Sequence, residues 1–368
     1  MSQDEGEVAA AEAVELPRVP AARSPWGVDL LDLRPITGQV TATSRDRQMA
    51  ENAVSFRNED GRSFLRARPE GPVTAAALRY PTEGLLADGV LFNPPDMDHK
   101  WALYVLDGRI VVVRSWQRKV TAVADLRQQG DEVVIGPIRG AFGSREDAGF
   151  TVCALDFLLR THVLGEAWPV PELAPADEAE HQDFAVRNFA AWGRRAAVAA
   201  TAPFPFRPPR GRLRTNSHLH IAAVRGDLGG LGAEVRKGLS PDLRASDGLT
   251  PLQWALGGRR LDVLDLLLAL GATIDARSDE GATALMNACQ GEWPEVVPWL
   301  LSRGADPNAA DVRGFTSLHR SAELGRTDYV KVLVGAGADP TLAAHGHTAL
   351  SLARARGHAE IVVMLGAG

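Results

Sequence analysis

Histidine, tryptophan and arginine gather at one place where their spacing could support chemistry. His99, Trp101, Arg114 and Trp116 fall on one side of an apolar stretch whose halves meet at Asp107-Gly108, with Asp96 and Asp98 just upstream. Such a set could form a small pocket for an anionic or planar group. It could equally pack as core, with Arg114 lying over the Trp101 ring as a cation–π pair. His218-Leu-His220 and His345-Gly-His347 could suggest metal sites, but neither has a cysteine or carboxylate set at ligand spacing. Capping and packing suit these histidines better, so no metal is expected. The stretch 136–144 (GPIRGAFGS) is glycine-rich but lacks the lysine of a P-loop. It reads as a loop before a helix whose first amides could meet an anion. Glu146, Asp147 and Asp156 fall at helical positions that look solvated or capping. There is no Gly-x-Ser-x-Gly elbow and no His-Glu-x-x-His, and no nucleophile has a recognisable partner. No catalytic residue and no cofactor is expected.

The elements that must hold these residues change character along the chain. Residues 1–24 are acidic and alanine-rich without periodicity and read as a disordered tail. Short β-like runs follow at 53–58, 62–68, 73–80, 100–106, 109–116, 119–126 and 132–138. If Asp107-Gly108 is a two-residue turn, Leu106 pairs with Arg109 and Trp101 with Arg114. Both faces of that hairpin are then largely apolar, as for a central hairpin covered on both sides. The period switches to helical over 147–164, so 45–166 reads as an α+β domain, an antiparallel sheet with helices. The segment 167–215 holds a proline-rich stretch, a helix over 177–202 with Asp177 as a possible cap, and a basic linker from 202 to 214. Over 92–164 the Trp-x-x-Tyr and Arg-Ser-Trp pattern loosely resembles an uncharacterised bacterial domain, which brings no chemistry with it.

From residue 216 a fixed period takes over. Gly-x-Thr recurs at Gly248/Thr250, Gly281/Thr283, Gly314/Thr316 and Gly346/Thr348, with glycines 33, 33 and 32 residues apart, and a fainter copy begins at Ser217. An alanine-rich apolar stretch follows each threonine, then Leu/Val-rich turns and a Gly-Ala closing. A repeat of this size cannot bury its own apolar face and is stable only when stacked. The 216–368 segment resembles about five ankyrin repeats, which implies an all-α solenoid of paired helices with protruding hairpin loops. The resemblance also implies protein binding through the concave first-helix face and the loops.

Departures from the pattern carry their own expectations. Its histidine stands at His220 and His319 but is replaced by Gln253, Met286 and Ser351. Pro298 falls where the third repeat's second helix should be under way, so a kink or late start is expected there. The glycine-rich second helix of the first repeat should be frayed. The resemblance implies that Leu249, Trp254, Asn287, Phe315, Arg320 and His347 line the concave face, types that include interface anchors. The hairpin tips 244–246, 277–280, 310–313 and 343–345 form a second candidate surface.

Composition bounds the partners. The net charge is −6 and neither half is basic, which argues against nucleic acid or an anionic membrane. No apolar run is long enough for a transmembrane helix, and the acidic start does not look like a signal peptide. Cys153 and Cys289 read as buried free thiols, fitting a reducing, cytoplasmic setting. Arginine outnumbers lysine 36 to 4, and that codon bias suggests a bacterial source. The reading that follows is a cytoplasmic adaptor holding a protein partner, monomeric or weakly self-associating. The alternative is an enzyme or immunity-type protein acting through the N-terminal sheet, with the repeats as a positioning scaffold.

Overall fold

Asp107 and Gly108 both adopt left-handed backbone, φ 51° and 66°, and so close a two-residue turn of the twist that antiparallel strands require. The computed structural model containing this turn describes residues 15–366, apart from Thr43, Arg45, 143–146 and 205–206. The chain divides into two compact units, Met1–Thr215 and Asn216–Gly368.

In the first unit the strands are β1 (Arg18–Val19), β2 (Leu30–Asp32), β3 (Val73–Thr74), β4 (Leu78–Pro81), β5 (Gly89–Phe92), β6 (Trp101–Val105), β7 (Arg109–Arg114), β8 (Lys119–Gln129), β9 (Glu132–Gly140) and β10 (Val198–Ala200). The main sheet runs β5-β6-β7-β8-β9, antiparallel throughout, and β3 and β4 both pair with β9. Trp101 pairs with Arg114 and Val105 with Ile110, the register set by the turn. A small sheet has the order β1-β2-β10.

Among the described residues four α-helices join these strands: α1 (Arg34–Thr37), α2 (Arg47–Ser55), α3 (Ala148–Leu158) and α4 (His181–Trp192). One face of the hairpin, through Trp101, Leu103, Val105, Ile110 and Val112, shares a core with Leu155, Phe157 and Leu158 of α3 and Phe184, Phe189 and Trp192 of α4. On the other face Tyr104 packs against Phe64, which stacks on Phe56. Both faces are therefore covered.

The second unit is five helix pairs: α5 (His218–Arg225) and α6 (Leu228–Arg236), α7 (Pro251–Gly258) and α8 (Leu261–Ala269), α9 (Ala284–Gln290) and α10 (Val296–Ser302), α11 (Ser317–Glu323) and α12 (Thr327–Gly335), α13 (Ala349–Arg356) and α14 (Ala359–Gly366). Each repeat threonine caps its first helix: Thr250, Thr283, Thr316 and Thr348 accept from the backbone N–H three residues on. The glycine two residues before each has φ between 76° and 84°. At Gly281 a Cβ would also meet the Val312 backbone nitrogen at 2.9 Å, so the next hairpin can approach only because no side chain is there.

Several expectations need correction. Residues 53–58 are the end of α2 and a 3-10 turn, and Arg62–Phe64 is another such turn, not strands. Asp46 starts α2 by accepting from the amides of Gln48 and Met49. The N-terminal tail is ordered before residue 24, because Leu16 is buried and β1 pairs with β2; residues 1–14 of that tail lie outside the described residues. Gly136–Gly140 is the end of β9 rather than a loop, and the helix from 177 stops at Trp192, where Gly193 turns to positive φ. The 202–214 linker is strapped to its own unit: Leu213 is buried and donates its amide to Pro81 O, and Glu166 accepts from the amides of Arg210 and Gly211. Asp156 is buried, not solvated, while Glu146 lies outside the described residues. Cys153 is exposed; Cys289 is buried, and burial raises its thiol to about 11. The first repeat's glycine-rich helix is a regular nine-residue α6, capped by Asp227. The late start at Pro298 is observed, with α10 beginning at Val296 so that proline falls where no intrahelical N–H is needed.

Candidate functional site

One side of the repeat unit, the face expected to bind, is built from first-helix starts and the hairpins before them. One type of hydrogen bond stitches successive repeats. His220 is buried, its Nε2 donates to Leu249 O (3.2 Å), and its Nδ1 faces Ser217 Oγ (2.8 Å). Gln253 does the same with an amide: Oε1 accepts from Thr250 N and Nε2 donates to Ala282 O, both 2.8 Å. His319 accepts from Thr316 N at Nδ1 (3.2 Å) and donates from Nε2 to His347 O (3.1 Å). In each case the repeat's own cap and the residue between the next glycine and threonine are tied together. Burial holds the His220 imidazole down to about 4 and also lowers His319, so both are neutral at pH 7.

Over this scaffold lies a groove of about 390 Å³. Leu249, Ala282 and Met286 give it apolar surface; Asp247, Glu280, Asn287, Gln290, Asp311 and Arg320 line it with polar groups. Three of the six residues expected on this face, Leu249, Asn287 and Arg320, therefore converge on one cavity. Trp254 stands beside it, half-buried, donating Nε1 to Asp247 Oδ2 (3.0 Å) and packing edge-on against His220. Phe315 is half-buried against His319 and lies beneath the Arg313 and Arg320 guanidinium groups at 5.6 and 5.1 Å. His347 is exposed and contributes its carbonyl to His319.

Sequence reasoning missed Asp247, Met286 and Gln290, and gave Glu280 only as part of the hairpin tip 277–280. A signal existed for Asp247 and Glu280, which immediately precede the repeat glycines. Gln290 is one helical turn beyond Met286, on the same face. At the hairpin tips Arg244 donates to Arg277 O, and Arg277 to Ala310 O, so these side chains tie one finger to the next.

Residues 219–311, 271–344 and 295–367 each match the sequence family described as "Ankyrin repeats (3 copies)". The second unit is an ankyrin-repeat array. Ankyrin repeats are a non-catalytic scaffold that generally mediates protein–protein interaction. No curated protein matches the chain.

The N-terminal candidates are engaged internally. Trp101 donates Nε1 to Ala191 O (2.8 Å), and Arg114 donates to Ala191 O (2.5 Å) and Ala190 O (2.7 Å). These are the last-turn carbonyls of α4, which have no intrahelical donor, and a cation is favoured there. Arg114 also lies 4.8 Å over the Trp101 ring, which stacks with Trp192. Trp116 donates to Met97 O, and His99 Nδ1 sits 2.7 Å from Asp96 Oδ1. Lys100 lies 3.8 Å from the Trp116 ring centre, and burial, then Arg114, lower its ammonium to about 7. At the start of α3 Asp147 caps the helix itself through Gly149 N (2.8 Å), occupying the place of an anion. Among the described residues no three His, Cys, Asp or Glu side chains converge as a metal site, and no helix is long and apolar enough to cross a membrane.

Proposed function

We propose that this protein is an adaptor that holds a partner protein on the concave face of its ankyrin array. The observation that carries this reading is the groove, in which Leu249, Asn287 and Arg320 from three successive repeats meet around one cavity. Trp254 and Phe315 flank it as half-buried aromatic anchors, the kind of residue that dominates binding energy when a partner covers it. The fingertips are the secondary surface, since Arg244 and Arg277 are tied to neighbouring fingers. Capture of Trp101 and Arg114 by α4 carbonyls favours this reading over an enzyme or immunity-type protein acting through the N-terminal sheet. The adaptor works in the cytoplasm by surface complementarity, without a cofactor.

The test is capture from native lysate by the full chain and by its Trp254→Ala/Phe315→Ala variant. One dominant protein, weakened by about thirtyfold or more in the variant, is expected for two anchors of about 1 kcal/mol or more each. Equal capture by both removes the concave face from consideration.

A further inference from the structure

Resting on that adaptor reading, we propose that the groove receives an extended partner segment whose lysine or arginine side chain lies over Leu249 and Met286 and ends between Asp247 and Glu280. The residue preceding the repeat glycine is Asp247, Glu280, Arg313 and His345 in successive repeats. The row thus runs from two carboxylates to an arginine and a histidine along the array. The two ends also differ in how their charges are neutralised.

Asp311, deeper in the groove, faces Arg313 (3.4 Å) and Arg320 (3.5 Å) and accepts from the amides of Arg313 and Phe315. Among the described residues Asp247 accepts from neutral donors alone, Leu249 N and Trp254 Nε1. The exposed Glu280 carboxylate, like the side-chain amides of Asn287 and Gln290, has no partner among the described residues. The one cation lining this cavity, Arg320, is engaged by Asp311 and Glu323, so among the described residues Asp247 and Glu280 face the cavity without an ion-pair partner of their own. The apolar surface between them suits the aliphatic stem of a long basic side chain, which buries its methylenes and keeps its head polar. A volume of about 390 Å³ lies at the low end for small-ligand pockets and suits one such side chain. At the other end Arg313 and Arg320 border the Phe315 ring, so a segment lying there places its own acidic or apolar residues. Such polarity fixes the direction in which the partner lies and repels the reverse orientation.

The experiment pans a displayed library of random dodecapeptides against the full chain, then titrates the enriched peptides with purified variants. Enriched peptides should share a lysine or arginine at a fixed position. Their Kd should weaken about tenfold or more in Asp247→Asn/Glu280→Gln, with the urea midpoint of the variant unchanged. Asp247→Lys/Glu280→Lys should instead select acidic peptides. Peptides that lose binding in Leu249→Arg but not in the neutralised pair would overturn the basic side chain and leave the groove as the binding face. Peptides indifferent to both sets would overturn the groove as well.

Discussion

His220 has both ring nitrogens in hydrogen bonds while fully buried, and its bonding to Leu249 O requires the proton on Nε2. Protonating Nδ1 would put a charge where burial disfavours it, which is why the imidazole titrates at about 4 rather than its ordinary 6.5. The depressed value makes the contribution fully present above about pH 6.5 and progressively lost as pH falls towards about 4. Its size is on the order of 3 kcal/mol. Gln253, one repeat on, makes the equivalent two bonds without a titrating group. His220→Gln should therefore match the parent within about 1 kcal/mol at pH 7.5 and be the more stable of the two at pH 4.5. Urea midpoints at the two pH values read this directly. An identical loss on acidification in both proteins would assign the acid sensitivity elsewhere.

At the scale of elements, the connector to the repeats is held through buried charge. Arg160, fully buried, donates to Asp156 (2.8 Å), Glu166 (3.1 Å) and Arg207 O (2.5 Å) while stacked 3.7 Å from the Trp168 ring centre. Asp156 in turn accepts from the Tyr80 hydroxyl, and Glu166 from two connector amides. Glu166→Ala removes the acceptor for both amides, so the chain after Arg210 should open locally. Trypsin cleavage at 210–214 should quicken about tenfold or more, read by intact mass over time. Unchanged cleavage would mean that the Leu213 contacts alone hold the connector. Little of this clamp was legible in sequence, because Tyr80, Asp156, Glu166 and Arg207 lie far apart in the chain. The Asp107-Gly108 hairpin and the repeats were legible because their signals are local: turn chemistry in one, a fixed period in the other. By contrast β2, β5 and β10 are only three or four residues long, too short for alternation to show. Stretch 53–58 was misread because its alternating pattern outweighed the Asp46 cap seven residues earlier. At the groove, the resemblance to ankyrin repeats, registered by the period, located Leu249, Asn287 and Arg320. Whether Trp101 and Arg114 lined a pocket or met a helix end depended on where α4 terminated, which no local pattern specified.

For the repeat unit as a whole, stability is a sum over neighbouring repeats, so a weak seam sets where the array opens. The stitching bond is present from the first repeat to the second through His220, from the second to the third through Gln253, and from the fourth to the fifth through His319. Between the third and fourth repeats the same position is Met286, buried and unable to donate. The carbonyl it would reach, Phe315 O, accepts Asp311 N (2.9 Å), just as Leu249 O accepts Ala245 N and Ala282 O accepts Ser278 N. Those two carbonyls use their second lone pair for His220 and Gln253, and Phe315 O has that lone pair to offer. Met286→Gln should therefore take up the Gln253 arrangement, accepting from Thr283 N and donating to Phe315 O. The gain should be about 1 kcal/mol, the net worth of a hydrogen bond, set against the apolar contacts that methionine loses. Native-state hydrogen exchange should show the amides of α9 and α11 better protected in the variant, with α5 and α7 little changed. If protection rises equally across the array, or falls at α9 and α11, Met286 is not the seam and its packing outweighs the bond it lacks.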